Sequence, residues 1–156
     1  SEMNSLLLCL AVVVVAIYAK PAEGPPTKLP VLSSAAKEYM NKRDAFRVQA
    51  GFEKELQDLY KKFPKDVVDE YKKQKETGDQ FKKDNFEYGM SSSFNNQGTI
   101  ILTKRMKPLF FALKDLWTSQ DKRENAFAAK CTTKAVLSEI YNYEFTMWVL
   151  STKRYG

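Results

Sequence analysis

Apolar residues recur at three- and four-residue steps over most of the chain beyond position 33, which is the pattern of amphipathic helices. Ser33 or Ser34 can cap a first helix that runs to about Phe63, with Gly51 as its weak point. Pro64 then ends this helix and starts another, because proline is accepted in a first helical turn and disfavours the α conformation in the residue before it. The apolar positions of the first helix are Tyr39, Phe46, Phe52, Leu56, Leu59, Tyr60 and Phe63.

Further helices follow the proline. Residues 72–80 in the second helix are polar apart from Gly78, so this stretch is either one long solvated rod or two shorter helices. A polar loop is expected at 91–98, a helix at 100–117, a turn at 118–121, and a last helix from Lys122 or Asn125 to Thr152. No strand-like alternation is present, so the pattern predicts an all-α fold, an antiparallel up-and-down bundle of four to five helices in a single domain at 33–156.

The first residues have a different character. Leu6 to Ile17 form an unbroken apolar run, too short to cross about 30 Å of hydrocarbon but typical of a secretory signal. We expect a signal peptide at 1–19, with two extra leading residues and Ala19 at the cleavage site; a membrane anchor is the alternative. Residues 20–32 are rich in proline and are expected to form an extended arm.

Charge and cysteine content depend on this signal. Its removal would take away Glu2 and Cys9, raising the net charge of +6 by one unit and leaving Cys131 as the single thiol. Cys131 shares an apolar stripe with Phe127, where a thiol behaves as a small hydrophobe. The alternative is intermolecular pairing, which would give a homodimer.

The residue types argue against catalysis. The chain has no histidine, so a Ser-His-Asp hydrolase and a His-ligated metal site would each lack an essential group. We therefore expect no enzyme activity, no catalytic residue, no metal site and no cofactor. The basic residues are mostly lysine with interleaved acids, whereas nucleic-acid readers concentrate arginine, so no nucleic-acid partner is expected.

Residues 100–117 form the most informative segment. One side of this helix carries Leu102, Met106, Leu109, Phe110, Leu113, Leu116 and Trp117, and the other carries Lys104, Arg105, Lys107 and Lys114. Phe111 and Pro108 fall among the cations, so Phe111 is expected to be exposed. An aromatic residue among lysines is typical of a helix that binds an anionic lipid surface. The alternative is an ordinary bundle helix with a solvated cationic face.

The last helix carries two apolar stripes. Val136, Ile140, Tyr143, Met147 and Leu150 form one, and Phe127, Cys131, Tyr141, Phe145 and Trp148 form another. Such a helix is either central to the bundle or has a second binding surface. In the second case the membrane or partner site extends to Tyr141, Phe145 and Trp148.

Two stretches resemble the abalone sperm lysin family. They are Val-Gln-Ala-Gly-Phe-Glu-Lys-Glu-Leu at 48–56 and the run at 128–145 in the last helix. The resemblance implies a five-helix bundle, secreted and stored in the sperm acrosomal vesicle. One branch of the family dissolves the egg vitelline envelope by stoichiometric binding to an envelope glycoprotein. The other branch, the 18 kDa acrosomal sperm protein, is membrane-active and implicated in gamete fusion.

The lysine bias and the 13% aromatic content are more similar to the fusion branch. The resemblance therefore implies a fertilisation protein that promotes sperm-egg membrane fusion. Dissolution of the egg coat is the alternative. No binding residue is carried over from the family.

Overall fold

A computed structural model describes residues 24–87 and 102–156. Within these ranges the chain forms five α-helices and no strand, which confirms the predicted all-α fold. The up-and-down order of the helices stays a prediction. The predicted signal peptide at 1–19 and the polar loop at 91–98 lie outside the described ranges. The helices are α1 (Ser34–Gln49), α2 (Phe52–Tyr60), α3 (Lys65–Asp84), α4 (Lys107–Cys131) and α5 (Lys134–Leu150).

The single helix predicted for 33–63 is in fact two helices, α1 and α2. Gly51 separates them with a φ of 71°, in the left-handed region that glycine adopts at little cost. Ser33 caps α1 as predicted, its hydroxyl accepting a hydrogen bond from the Ala36 N–H at 3.2 Å. Pro64 directly precedes α3, as predicted, and α3 is one continuous helix, so the long-rod interpretation is the correct one.

The prediction of a turn at 118–121 was wrong, because α4 continues through these residues. The Thr118 hydroxyl donates to the Lys114 carbonyl at 2.9 Å, so this polar side chain is satisfied inside the helix. The break occurs instead at Thr132 and Thr133, which are both extended, and the Thr133 hydroxyl caps α5 by accepting from the Val136 N–H at 3.3 Å. The helix predicted from position 100 starts only at 107.

Two hydrophobic clusters form the core, and α4 joins them. With 25 residues α4 is about 37 Å long, at roughly 1.5 Å per residue. Its first turns pack against α2 and α3, and its last turns pack against α1 and α5. The buried residues of the first cluster are Val67, Val68, Tyr71, Met106, Leu109 and Leu113, and those of the second are Ala36, Tyr39, Ala128 and Ile140.

A third set of contacts joins the ends of α3 and α5. Phe86 is buried and meets the Trp148 ring edge to face, with ring centroids 4.6 Å apart. The Lys153 N–H donates to the Lys83 carbonyl at 3.2 Å. The chain beyond α5 is thereby held against the end of α3.

Candidate functional site

The start of α4 is fixed by its contacts with the first cluster. Met106 is 2% exposed, and Leu109 and Leu113 are fully buried against Val67, Val68 and Tyr71 of α3. Before the helix, the Thr103 carbonyl accepts from the Lys107 N–H at 3.1 Å. Because two leucines one turn apart are buried, the rotation of α4 about its axis is set, and the opposite side, at positions 107, 111 and 114, is exposed.

That opposite side carries one aromatic ring between two lysines. Lys107, Phe111 and Lys114 follow each other at four- and three-residue steps, so their side chains are neighbours on one face of α4. Phe111 is 55% exposed, as its spacing predicted, and both lysines are exposed. We call these three residues the cationic aromatic face. Segment 107–114 contains no acidic residue.

Trp117 lies at the margin of the cationic aromatic face, a position that the sequence analysis did not predict. It was expected on the core side with Leu113, but it is 37% exposed. It lies three residues after Lys114 and therefore beside it on the helix surface. Phe110 remains half-buried and meets the ring of Phe111 at 5.8 Å between centroids. The exposed aromatic surface therefore extends from Phe111 to Trp117, beside Lys107 and Lys114.

Lys104 and Arg105 do not join the cationic aromatic face. They precede α4, in a turn, and line a surface groove of about 600 Å³ with Asp66 and Glu70 of α3. Arg105 donates to Asp66 at 2.7 Å, and this hydrogen bond lowers the pKa of the Asp66 carboxyl. Arg105 is therefore paired with an acid of α3, and Lys104 is exposed in the same groove. Of the four predicted cations, Lys107 and Lys114 lie on α4 beside Phe111, and Lys104 and Arg105 precede the helix.

The three predicted aromatic residues of α5 have different surroundings. Tyr141 is 72% exposed and stacks on Phe145, with centroids 6.4 Å apart and the rings 9° from parallel. Phe145 is half-buried and lines a groove with the proline-rich arm. Trp148 is half-buried against Phe86. Of this stripe, Tyr141 alone presents most of its ring to solvent.

Cys131 is free and exposed at the end of α4, which corrects its expected position on an apolar stripe. Phe127, one turn earlier, does pack inward, and its ring stacks on Phe46 of α1 at 4.4 Å between centroids. The helix ends directly after the thiol, so Cys131 has no following turn to cover it.

Over the ranges 24–87 and 102–156, no group of three or more metal-ligating side chains comes together. None of the helices described there has the length and apolar character needed to span a bilayer. Comparison of the chain with protein-family models, curated proteins and solved structures found no match.

Proposed function

We propose that this protein binds anionic membrane surfaces through the cationic aromatic face of α4, without catalysis. The observation that carries the proposal is the exposed ring of Phe111 between Lys107 and Lys114 on a helix whose opposite side is buried. Lysines favour anionic headgroups, and an aromatic ring between them enters the boundary with the acyl chains. In keeping with the resemblance, we propose that the protein is secreted from the sperm acrosome and promotes sperm-egg membrane fusion.

The size of the face predicts reversible binding. Each lysine near an anionic surface contributes roughly 1 kcal/mol. The exposed half of the Phe111 ring, about 100 Å² of an aromatic side chain, adds about 2.5 kcal/mol if it leaves water completely. Together these give about 4–5 kcal/mol, which corresponds to a dissociation constant near the millimolar range. One molecule would therefore adsorb weakly, and many copies acting together would be needed to disturb a bilayer.

The test separates this function from its alternative, dissolution of the egg coat by binding to an envelope glycoprotein. The same preparation is mixed with phosphatidylserine-containing vesicles, with phosphatidylcholine vesicles and with isolated egg envelopes. The proposal expects binding and lipid mixing with the anionic vesicles alone, decreasing as salt is added because salt screens the lysines. Dissolved envelopes with unbound vesicles would contradict it and favour the alternative.

A further inference from the structure

Helix α1 lies over the second cluster and is joined to α2 by a glycine. Its buried residues, Ala36 and Tyr39, pack in that cluster with residues of α4 and α5. Gly51 has a φ of 71°, and no atom lies within 4 Å of the position where a side chain would start. The backbone has room to turn at Gly51, so α1 can move as a unit about this point.

Three carboxylates of α4 and α5 hold α1 in its place. Each accepts hydrogen bonds of 2.6–3.0 Å, either from the residue that caps α1 or from an arginine further along this helix. Because every one of these contacts uses an ionised acid, a fall in pH weakens all of them together. The pairs are Ser33 with Glu139, Arg43 with Glu144, and Arg47 with Glu124.

Arg43 makes the position of α1 sensitive to the charge of Glu144. The Arg43 side chain is 12% exposed, and its Nε atom is buried without a hydrogen-bond partner, the one such side-chain atom within residues 24–87 and 102–156. Glu144 accepts from this guanidinium at 3.0 Å, and the mostly exposed Asp44 carboxylate is 3.7 Å from Nε. A guanidinium keeps its proton, so a neutral Glu144 leaves a buried positive charge poorly compensated. Movement of α1 outward returns this charge to water.

Acid leaves an excess of positive charge between α1 and its neighbours. The acids there become neutral as the pH falls, whereas the two arginines stay charged and lie one turn apart on α1. Burial, and then the charge of Glu124, raises the pKa of Tyr39, so this phenol stays neutral. The hydrogen bonds from Ser33 lower the pKa of Glu139 below 4.5, so its contribution is lost as the pH falls through the lowered value. The titratable and charged groups around these contacts are Glu38, Tyr39, Lys42, Arg43, Asp44 and Arg47 on α1, Glu124 and Cys131 on α4, and Glu139 and Glu144 on α5.

We propose that α1 is a lid hinged at Gly51, which the three carboxylates keep closed at neutral pH and which acid opens. Opening uncovers the apolar side of α4 and α5 on which α1 rests. In the closed form the ring of Phe46 stacks on Phe127 with centroids 4.4 Å apart, and Ile140 is buried beside them in the second cluster. The opening is a property of the chain in solution and does not depend on the proposed membrane function.

Glu144→Gln tests the lid at neutral pH, because glutamine has the shape of the protonated acid and no charge. Hydrogen exchange of the backbone amides is followed by mass spectrometry at pH 7. We expect the amides of α1 to exchange at least about tenfold faster than in the unmodified chain, while those around Leu109 and Leu113 of α4 keep their protection. Unchanged exchange in α1, or faster exchange in all helices, would overturn the proposal.

Asp58→Asn is the matched control for this variant. Asp58 is 47% exposed, close to the 44% of Glu144, but its partner Lys54 lies on the same helix, α2. The same change of charge should therefore leave the exchange of α1 as it is in the unmodified chain. Equal acceleration by Asp58→Asn and Glu144→Gln would show a general charge effect and contradict the lid.

A second substitution separates the buried charge from the loss of a contact. Arg43→Met removes the guanidinium and keeps a long unbranched side chain. Combined with Glu144→Gln, it should return the exchange of α1 to within about threefold of the unmodified chain, because no charge is left buried. If the double variant exchanges as fast as Glu144→Gln alone, the buried charge does not open the lid and the proposal fails.

The pH dependence is measured on the unmodified chain with Nile red, an uncharged dye whose emission rises on exposed apolar surface. The emission should rise as the pH falls through the range in which carboxylates protonate, around pH 4, while the helical circular dichroism is retained. In the chain with Arg43→Met and Glu144→Gln the rise should be smaller. Loss of the helical signal over the same range, or no rise down to about pH 3, would contradict an acid-opened lid.

Discussion

Replacement of Phe111 by alanine should separate membrane binding from stability. The ring is 55% exposed, so slightly less than half of its surface contributes to folding. At about 25 cal/mol per Å², the buried part of the side chain, about 80 Å², contributes about 2 kcal/mol to folding. The higher helix propensity of alanine recovers about 0.5 kcal/mol of this. The melting temperature should therefore fall by only a few degrees.

Leu113→Ala is the matched change on the buried side of the same helix. Leu113 is fully buried in the first cluster, and such a truncation costs about 2–5 kcal/mol. For a chain of this length that lowers the melting temperature by roughly 6–15 °C. The contrast between the two variants follows from their positions on opposite sides of α4.

Binding to anionic vesicles should show the reverse order: Phe111→Ala should weaken it more than Leu113→Ala does. Phe111→Ala removes up to about 2.5 kcal/mol, the free energy of moving the exposed ring out of water. The partition coefficient should therefore fall by up to roughly 60-fold. Val48→Ala is the control, because Val48 is 80% exposed on α1 and lies outside the cationic aromatic face. The assay is sedimentation with phosphatidylserine vesicles below the melting temperature. Equal partitioning of Phe111→Ala and the unmodified chain would refute the reasoning, as would a loss of stability as large as that of Leu113→Ala.

Three further changes test charge, backbone and pH. Lys107→Glu with Lys114→Glu should abolish vesicle binding at low salt while the melting temperature stays within a few degrees, because both lysines are exposed and an acid at position 107, in the first turn of α4, is favourable; sedimentation and thermal melting measure both. Gly51→Ala should cost about 1–2 kcal/mol in denaturant unfolding, since the position has a φ of 71° although no atom lies within 4 Å of the added carbon. Glu139→Gln should destabilise the chain at neutral pH. The hydrogen bonds from Ser33 lower the pKa of Glu139 below its ordinary 4.5, so its contribution is complete above that pH and is lost as the pH falls through the lowered value. Melting curves of both chains should therefore converge in acid.

The helical periodicity was sufficient to predict the fold class and the orientation of α4. Leu109 and Leu113 recur at one turn, and their burial left Phe111 on the opposite side, as a period of 3.6 residues requires. The helix ends were harder to predict. Thr118 and Thr132 are the same residue type, yet one lies inside a helix and the other ends one, because packing of α4 against both clusters overrides local preference.

Contacts between distant residues could not be read from the pattern. Arg105 is 39 positions from Asp66, so its ion pair appears only when α3 and the turn before α4 meet. Ser33 is 106 positions from Glu139, and this contact fixes the start of α1 against α5. The helical stripe on α5 was visible in the sequence, but the segments that cover it were not.

The most direct test of the proposed membrane function places an environment-sensitive dye at position 111. A single cysteine replaces Phe111 in a chain whose Cys9 and Cys131 are changed to serine, and a second chain carries the cysteine in place of Val48. On addition of phosphatidylserine vesicles at low salt, the dye at 111 should shift its emission to the blue and the dye at 48 should not. Unchanged emission at 111 under conditions where the protein sediments with the vesicles would contradict the account, because another surface would then contact the lipid.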